Sequence, residues 1–340
     1  MLEHMRETVF VPESITKTLR AQYLPQVVNA VLTNANYIKG LQEKWNQLVH
    51  GLAKAFSVDV KDMDEEVLLR EIERVSLVRI QDFIGNSKNV VMGIVGPGGA
   101  GKGTVKGEVS SALDATTIIN STTRDRRPSE TDGVHYHFIT GEKIAAGAVL
   151  GDVARKQIAE DLGISSVEAR IDDKVLEMLE SVGEKKGEYY IPLDIAASDC
   201  KYVTLMYRSG RGWYGVSKES IDATGKDRFV FMEENINNLR EVSRYLRSSN
   251  DVARFFVVCV LPPQPIAFHS AARAYVRDGA DMPLEKLQST IGPRQMREFE
   301  DLLKYIKEVP MVFLANDDLI DIDGKKQTRV GQELIKALRQ

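Results

Sequence analysis

Val90-Val91-Met92-Gly93-Ile94-Val95-Gly96-Pro97-Gly98-Gly99-Ala100-Gly101-Lys102-Gly103-Thr104 decides the fold of this chain. Its first six residues form a short apolar run, the pattern of a strand buried on both faces in a parallel sheet. The glycine-rich stretch that follows ends in Lys-Gly-Thr and leads into a helix-compatible segment. Strand, glycine loop and helix in that order make a phosphate-binding loop: glycines let backbone N–H groups close around an anion, and the helix N-terminus adds its partial positive charge. Gly96, Gly98, Gly99, Ala100, Gly101, Lys102, Gly103 and Thr104 are therefore expected to hold a nucleoside triphosphate. Lys102 would reach the β- and γ-phosphates, and the Thr104 hydroxyl would hold Mg²⁺. Gly103 stands where the commoner pattern has Ser or Thr, so the hydroxyl comes one residue late.

Beyond the loop the chain alternates strand-like and helix-like pieces. Ala115–Ser121, Phe229–Met232, Phe255–Leu261 and Met311–Ala315 read as strands. Ile236–Arg247, Pro265–Arg277 and Arg294–Ile306 read as helices between them. The expectation is a doubly wound α/β fold with a largely parallel sheet, here called the P-loop domain and assigned residues 88–340. A stretch of about residues 144–184 is helical in pattern, with one helix ending at Gly163 and a second over Ser166–Leu179, and reads as an insertion. Gln157–Ser165 echoes the first half of a helix-turn-helix, but a glycine helix end is common and the next segment is acidic, so a structural insertion is expected.

Residues 1–87 read as an all-helical region. Leu19, Tyr23, Val27, Val31 and Leu32 recur at helical spacing, and so do Ile38, Leu41, Trp45, Leu48, Leu52 and Phe56. A third helix, about Asp64 to Ile84, places Val67, Leu68, Ile72, Val75 and Val78 on one face. Three such helices fit a small bundle, an arm through which copies of the chain associate, or a brace on the main domain; the structural reading is preferred, because no cluster of reactive residues lies there.

Composition bounds the remainder. The chain has 340 residues, 43% hydrophobic and 28% charged, with a net charge of −4. That acidic balance argues against nucleic acid as the partner. No apolar run approaches the ~20 residues that span a bilayer, so no membrane association is expected. The first residues have no apolar leader core, and Cys200 and Cys259 fit no metal spacing; a cytoplasmic protein with reduced thiols is expected.

A second informative segment is Asn120-Ser121-Thr122-Thr123-Arg124-Asp125-Arg126-Arg127-Pro128-Ser129-Glu130-Thr131-Asp132-Gly133-Val134-His135-Tyr136-His137-Phe138. Three arginines beside hydroxyls suit phosphate, because the planar guanidinium makes paired, charge-assisted hydrogen bonds. By composition alone a solvated basic loop is an equal reading. At this point the sequence resembles the guanylate kinase family, whose pattern after the P-loop helix is matched by Arg124, Arg127, Pro128, Glu130, Gly133, Tyr136 and Phe138. Downstream, Gly212–Lys218 is similar to that family's Asn-Tyr-Tyr-Gly-Thr-Ser-Lys, Leu261-Pro262-Pro263 to its Leu-Pro-Pro, and Asn316-Asp317-Asp318-Leu319 to its late Asn-Asp-Asp-Leu.

The resemblance implies a sheet of guanylate-kinase type and a nucleoside monophosphate kinase that uses ATP and Mg²⁺ to phosphorylate GMP or dGMP. It places Arg124, Arg127, Tyr136 and Tyr214 on the acceptor phosphate, Asn120 by the base, Ser121 and Ser217 in the acceptor site, and Asn316 by the adenine. Arg273 and Arg277, four apart on one helical face, resemble lid arginines that clamp the transferring group. Lys102, Arg124, Arg273 and Arg277 are thereby the candidate catalytic residues, and the partner is a small nucleotide. There are departures. The family's acidic base reader ahead of the Gly-Tyr-Gly segment has no counterpart in Lys201–Arg208, Met232-Glu233-Glu234 replaces an Asp-x-Asp, and a third lid arginine is absent near Gln288. The alternatives are a kinase of another phosphorylated small molecule, or a catalytically inactive module that binds a phospho-ligand or protein.

Overall fold

The computed structural model describes residues 35–60, 63–85, 87–97, 100–128, 130–225, 227–248, 254–261, 292–316, 319–322 and 325–340. The expected helix around Leu19–Leu32, the segment Pro265–Arg277 with Arg273 and Arg277, and Gly98 and Gly99 lie outside the described residues.

A five-stranded parallel sheet carries the fold. Strand β1 (Val90–Val95) runs fully buried. It pairs on one side with β8 (Phe229–Glu233) and on the other with β9 (Arg254–Leu261). Strand β10 (Met311–Ala315) adds to β9, and β2 (Thr116–Thr117) adds to β8, giving the order β10-β9-β1-β8-β2. Successive side chains of a strand point to opposite faces, so each strand feeds two cores. Val91, Val230, Met232, Val257 and Phe313 enter one core; Met92, Phe231, Phe256, Val258 and Leu314 enter the other. The second core is closed by α3 (Lys102–Leu113), through Val105 and Val109, and by α10 (Arg329–Arg339), through Val330, Leu334 and Leu338.

The first core is closed by four helices: α1 (Ala35–Phe56), α2 (Glu65–Ile84), α8 (Ile236–Ser248) and α9 (Gly292–Tyr305). Leu41, Trp45, Leu48, Leu52 and Phe56 of α1 are buried at helical spacing, as expected from the sequence. Trp45 meets Phe299 of α9 at 5.8 Å between ring centroids, and Phe56 meets Phe313 of β10 edge-on at 5.7 Å. These two N-terminal helices thus share a core with the sheet, acting as a brace. At about 1.5–3 kcal/mol for each large apolar side chain fully buried, the contact is substantial.

Helix α2 buries only part of the expected face: Leu68 and Ile72 are inside and Val75 packs against the same core, but Val67 and Val78 are not. Asp64 caps its start, accepting the Val67 N–H at 2.8 Å. Val67 and Val78 are 50% and 64% exposed, while Leu68, Ile72, Ser76, Ile80 and Ile84 are buried. That row steps by four, so it winds around the helix by about 40° per step. The winding lets α2 serve both cores as it passes the β10 edge, with Leu68 and Ile72 in one and Ile80 and Ile84 in the other.

The chain leaves the parallel sheet after β2 to build a second one, so the expected strand Ala115–Ser121 is split. Strands β3 (Ser121–Thr122), β4 (His137–Phe138), β5 (Glu188–Ile191), β6 (Tyr202–Arg208) and β7 (Gly212–Ser217) form a sheet of order β4-β3-β7-β6-β5. Helices α4 (Gly141–Ala146), α5 (Asp152–Leu162) and α6 (Asp173–Lys186) cover it around Trp213, Tyr207 and Leu179. Gly163, with φ +66°, stops α5. The next helix begins at Asp173 rather than Ser166, because Asp172 takes the cap and accepts the Val175 N–H at 2.7 Å. The helix-turn-helix echo is thus absent: α6 packs its apolar stripe on the sheet. A short α7 (Lys218–Asp222) follows β7, and a two-stranded ribbon, β11 (Leu319–Ile322) and β12 (Lys325–Thr328), precedes α10. Among the described residues no helix is long and apolar enough to cross a membrane.

Candidate functional site

The glycine loop leaves β1 at the point where neighbouring connections run in opposite directions, toward β8 on one side and β9 on the other. Open α/β sheets leave a crevice there. Gly96 has φ +143°, and a Cβ on it would run into the Val260 carbonyl of β9. Gly101, at φ +88°, caps α3 and has no room for a Cβ beside the Asn316 amide. Asn316 is buried and donates through Nδ2 to the Ala100 carbonyl at 2.8 Å. Its described contact is therefore with the loop itself. Lys102 Nζ donates to the Gly96 carbonyl at 2.6 Å and to the Pro97 carbonyl at 3.2 Å, folding back over the same loop. Gly103 and Thr104 are exposed in the first turn of α3. Among the described residues no cluster of three or more His, Cys, Asp or Glu is set to hold a metal. A lone Thr104 hydroxyl fits Mg²⁺, which takes many of its ligands from substrate phosphates and water.

Across from the loop a cavity of about 350 Å³ opens between the two sheets, and its walls include Gly96, Lys102, Asn120, Tyr136, Arg208 and Glu234. Sequence reasoning placed the first four of these in the site and missed the last two. Glu234 follows β8 at the sheet's C-terminal edge, on the same crest as the phosphate loop; a carboxylate at a strand's carboxyl end is the signal that could have found it. Asn120 donates to Glu234 Oε1. Asn238 Nδ2 and the Asn235 N–H donate to Oε2 at 2.9 and 3.1 Å. Burial nevertheless pushes the Glu234 carboxyl above the ordinary glutamate range. The Asn120 Oδ1 atom is buried with no hydrogen-bond partner among the described residues. An unmet buried acceptor costs about 1–3 kcal/mol, which a ligand donor would recover. Arg208 Nε lies 2.8 Å from Glu188 Oε1, on the edge strand β5 that follows the insertion.

The arginine-rich loop after β3 is organised by Glu130. Its carboxylate takes both ends of the Arg124 guanidinium, with Arg124 NH1 at 2.7 Å from Oε2, and also accepts the Arg127 N–H at 2.9 Å. The same guanidinium sits 4.9 Å over the Tyr136 ring and 5.5 Å over Phe138. Tyr136 in turn meets the Tyr214 ring at 6.0 Å. Arg124, Tyr136 and Tyr214 are thus brought together. The Arg127 side chain is exposed beside them. Burial lifts the Tyr136 phenol above its ordinary pKa and keeps it an O–H donor. Ser121 is buried in β3, paired with Gly215 of β7. Ser217 caps α7, its hydroxyl accepting the Ser220 N–H at 3.0 Å.

The Arg124 hydrogen bonds hold the Glu130 carboxyl down to about 2. A folded pKa below the unfolded one means the ion pair supports the fold fully above the ordinary glutamate range, and that support fades as pH falls toward 2. Side-chain carboxyl ¹³C NMR should therefore show Glu130 still ionised at pH 3.5, and Arg124→Met should return its midpoint to the ordinary range. A Glu130 midpoint near 4.5 in the unaltered protein would show that the pair does not persist in solution.

Known proteins match the chain at these elements. Residues 87–149 match the family described as guanylate kinase. The guanylate kinase of Salinibacter ruber is 34% identical over 89 residues, covering 26% of this chain and 47% of that protein. The guanylate kinase of Helicobacter hepaticus is 47% identical over 57 residues, covering 16% of this chain and 28% of that protein. The chain therefore spans about half, or less, of the length of these curated relatives. Among solved structures, the guanylate kinase of Anaplasma phagocytophilum aligns over 69% of this chain and 80% of that chain at 12% identity, with a TM-score of 0.34. Over residues 87–149, which hold the glycine loop and the arginine-rich loop after it, this chain is similar to the guanylate kinase family.

Proposed function

We propose that this protein is an ATP-dependent nucleoside monophosphate kinase that transfers the γ-phosphoryl group of ATP to GMP or dGMP. One observation carries the reading: a single cavity is lined by Gly96 and Lys102 of the glycine loop together with Asn120, Tyr136 and Glu234. Phosphoryl transfer asks little covalent work of a protein; positioning and charge neutralisation do most of it. Lys102 would exchange its loop carbonyls for the oxygens of the triphosphate. Bound Mg²⁺ would supply further charge neutralisation, held by Thr104 and phosphate oxygens. Arg124, Arg127, Tyr136 and Tyr214 would orient the acceptor phosphate and offset repulsion between the two anions. Arg273 and Arg277 are assigned to the lid by resemblance alone.

The choice of base rests on the acceptor-rich end of the cavity. The unmet Asn120 Oδ1 calls for an N–H donor, with the Glu234 carboxyl beside it as a second acceptor, and the guanine edge offers a ring N–H and an amino group. A site built this way rejects bases that leave its polar groups unpaired. With ATP and Mg²⁺, ADP production should favour GMP or dGMP over CMP and UMP by about 10³-fold or more in kcat/KM. Turnover with a sugar phosphate or another nucleotide instead would keep the mechanism and change the substrate. A second reading, an inactive phospho-ligand or protein-binding module, draws support from the commitment of Arg124 to Glu130. Tight monophosphate binding with no turnover on any acceptor would establish that second reading.

A further inference from the structure

The N-terminal helices are tied to the phosphate loop by a buried carboxylate that the proposed chemistry does not use. Glu73 of α2 is 5% exposed. Its Oε2 accepts the Ala315 N–H at 2.8 Å, and its Oε1 accepts Arg329 NH1 at 2.5 Å. Arg329 NH2 also donates to the Ala315 carbonyl at 3.0 Å. Ala315 ends β10, an edge strand of the described sheet. An edge strand presents backbone groups that no neighbouring strand can satisfy. At Ala315 both of those groups are taken by an ion pair assembled from two other elements, α2 and α10.

The next residue is Asn316. Its N–H turns inward to the Leu261 carbonyl at 2.8 Å, and its side chain donates to Ala100 of the phosphate loop at 2.8 Å. One residue thus separates the clamp from the group that touches the loop. A parallel link reaches the helix that leaves the loop: Glu108 of α3 accepts the Thr328 N–H at 2.9 Å and the Thr328 hydroxyl. Thr328 is the cap of α10 and is adjacent to Arg329. Two carboxylates on different helices therefore fix consecutive residues at one helix start, and both connections lead to the glycine loop.

We propose that Glu73 is a positioning residue for the triphosphate site, so that α2 sets the conformation of the glycine loop through Arg329, Ala315 and Asn316. The proposal rests on the reading of the loop as a triphosphate site. It gives residues 35–84 a working role: they supply, from outside the sheet, a restraint on a strand end whose next residue, Asn316, contacts the loop. Removing the restraint should loosen the loop and weaken ATP, with little effect on the acceptor, whose proposed contacts lie on the second sheet and after β8, away from β10. The split between the two substrates separates positioning from a general loss of stability.

Glu73→Gln keeps the side-chain shape and removes the buried one of the two carboxylates that pair with Arg329, leaving Glu333 at 3.0 Å on the half-exposed side. With the full chain, we expect it to weaken ATP binding, read by calorimetry, and to raise KM for ATP, each about 10-fold, with KM for the acceptor changed less than 2-fold; a loss of this size corresponds to about 1.4 kcal/mol. The Ala315 amide should exchange with deuterium at least about 10-fold faster. If Glu73→Gln does not fold, Arg329→Lys, which keeps the charge and loses the fork, should show the same split. An unaltered protein that binds ATP together with a folded variant of equal ATP affinity overturns the brace and leaves the loop reading standing. An unaltered protein that binds no ATP overturns both, and a matched rise in both KM values overturns the brace in favour of plain destabilisation.

Discussion

Lys102→Ala is expected to reduce ATP-dependent turnover by about 10²–10³-fold, the usual cost of removing one preorganised group that stabilises transition-state charge. The amine is held at the mouth of the cavity by two carbonyls of its own loop, at 2.6 and 3.2 Å. Those bonds orient the chain before any nucleotide arrives, so little reorganisation is needed when phosphate oxygens replace them. The fold should tolerate the change. Lys102 is only partly buried, and the α3 side chains that hold the helix to the sheet are Val105 and Val109. A melting temperature within about 1.5 °C of the unaltered protein, corresponding to roughly 1 kcal/mol for a chain of this length, together with the lost turnover, would assign the loss to chemistry. Equal turnover in the variant and the unaltered protein would remove Lys102 from the mechanism and, with it, the phosphotransferase reading.

The parts of this molecule that were legible in sequence are those whose physics is local. The apolar run Val90–Val95 followed by glycines announces a buried strand and a phosphate loop within fifteen residues. Ile236–Arg247 and Met311–Ala315 show their periods without help, and they stand as α8 and β10. The helix starting at Asp173 was misplaced because Asp172, a capping residue, was read as part of the helix interior. The buried face of α2 was read only in part, for a different reason: one helix serves two cores, so its stripe winds and fits no single-face template. Glu234, Arg208 and Glu73 were missed because their meaning is not local. Glu73 and Ala315 are 242 positions apart in sequence, and only folding reveals that one satisfies the backbone of the other. Asn120 was legible by resemblance, but its unmet acceptor atom was not, since that depends on which way Glu234 turns its amide.

Gly96→Ala should be more damaging than the removal of Lys102, since it acts on the fold as well as on the site. The residue sits where β1 ends and the loop turns, with φ +143°, a region that side chains rarely adopt. A methyl group there would also press into the Val260 carbonyl, which is backbone of β9 where it pairs with Leu314 of β10 and cannot rotate away. Backbone strain of about 1–3 kcal/mol and overpacking of about 1–3 kcal/mol together give a loss of about 2–6 kcal/mol. Many domains are stable by only about 5–15 kcal/mol, so the urea midpoint should fall clearly. The protein has one way to relieve the clash: let the loop lift from β9. Lifting moves the Gly96 and Pro97 carbonyls that orient Lys102, so the fraction of variant that stays folded should bind ATP at least about 10-fold more weakly, or 1.4 kcal/mol. Urea unfolding and ATP calorimetry on the same preparation test both consequences. An unchanged midpoint with unchanged ATP affinity would mean that the loop does not approach Val260 in solution, and the cradle geometry on which the triphosphate assignment stands would have to be abandoned.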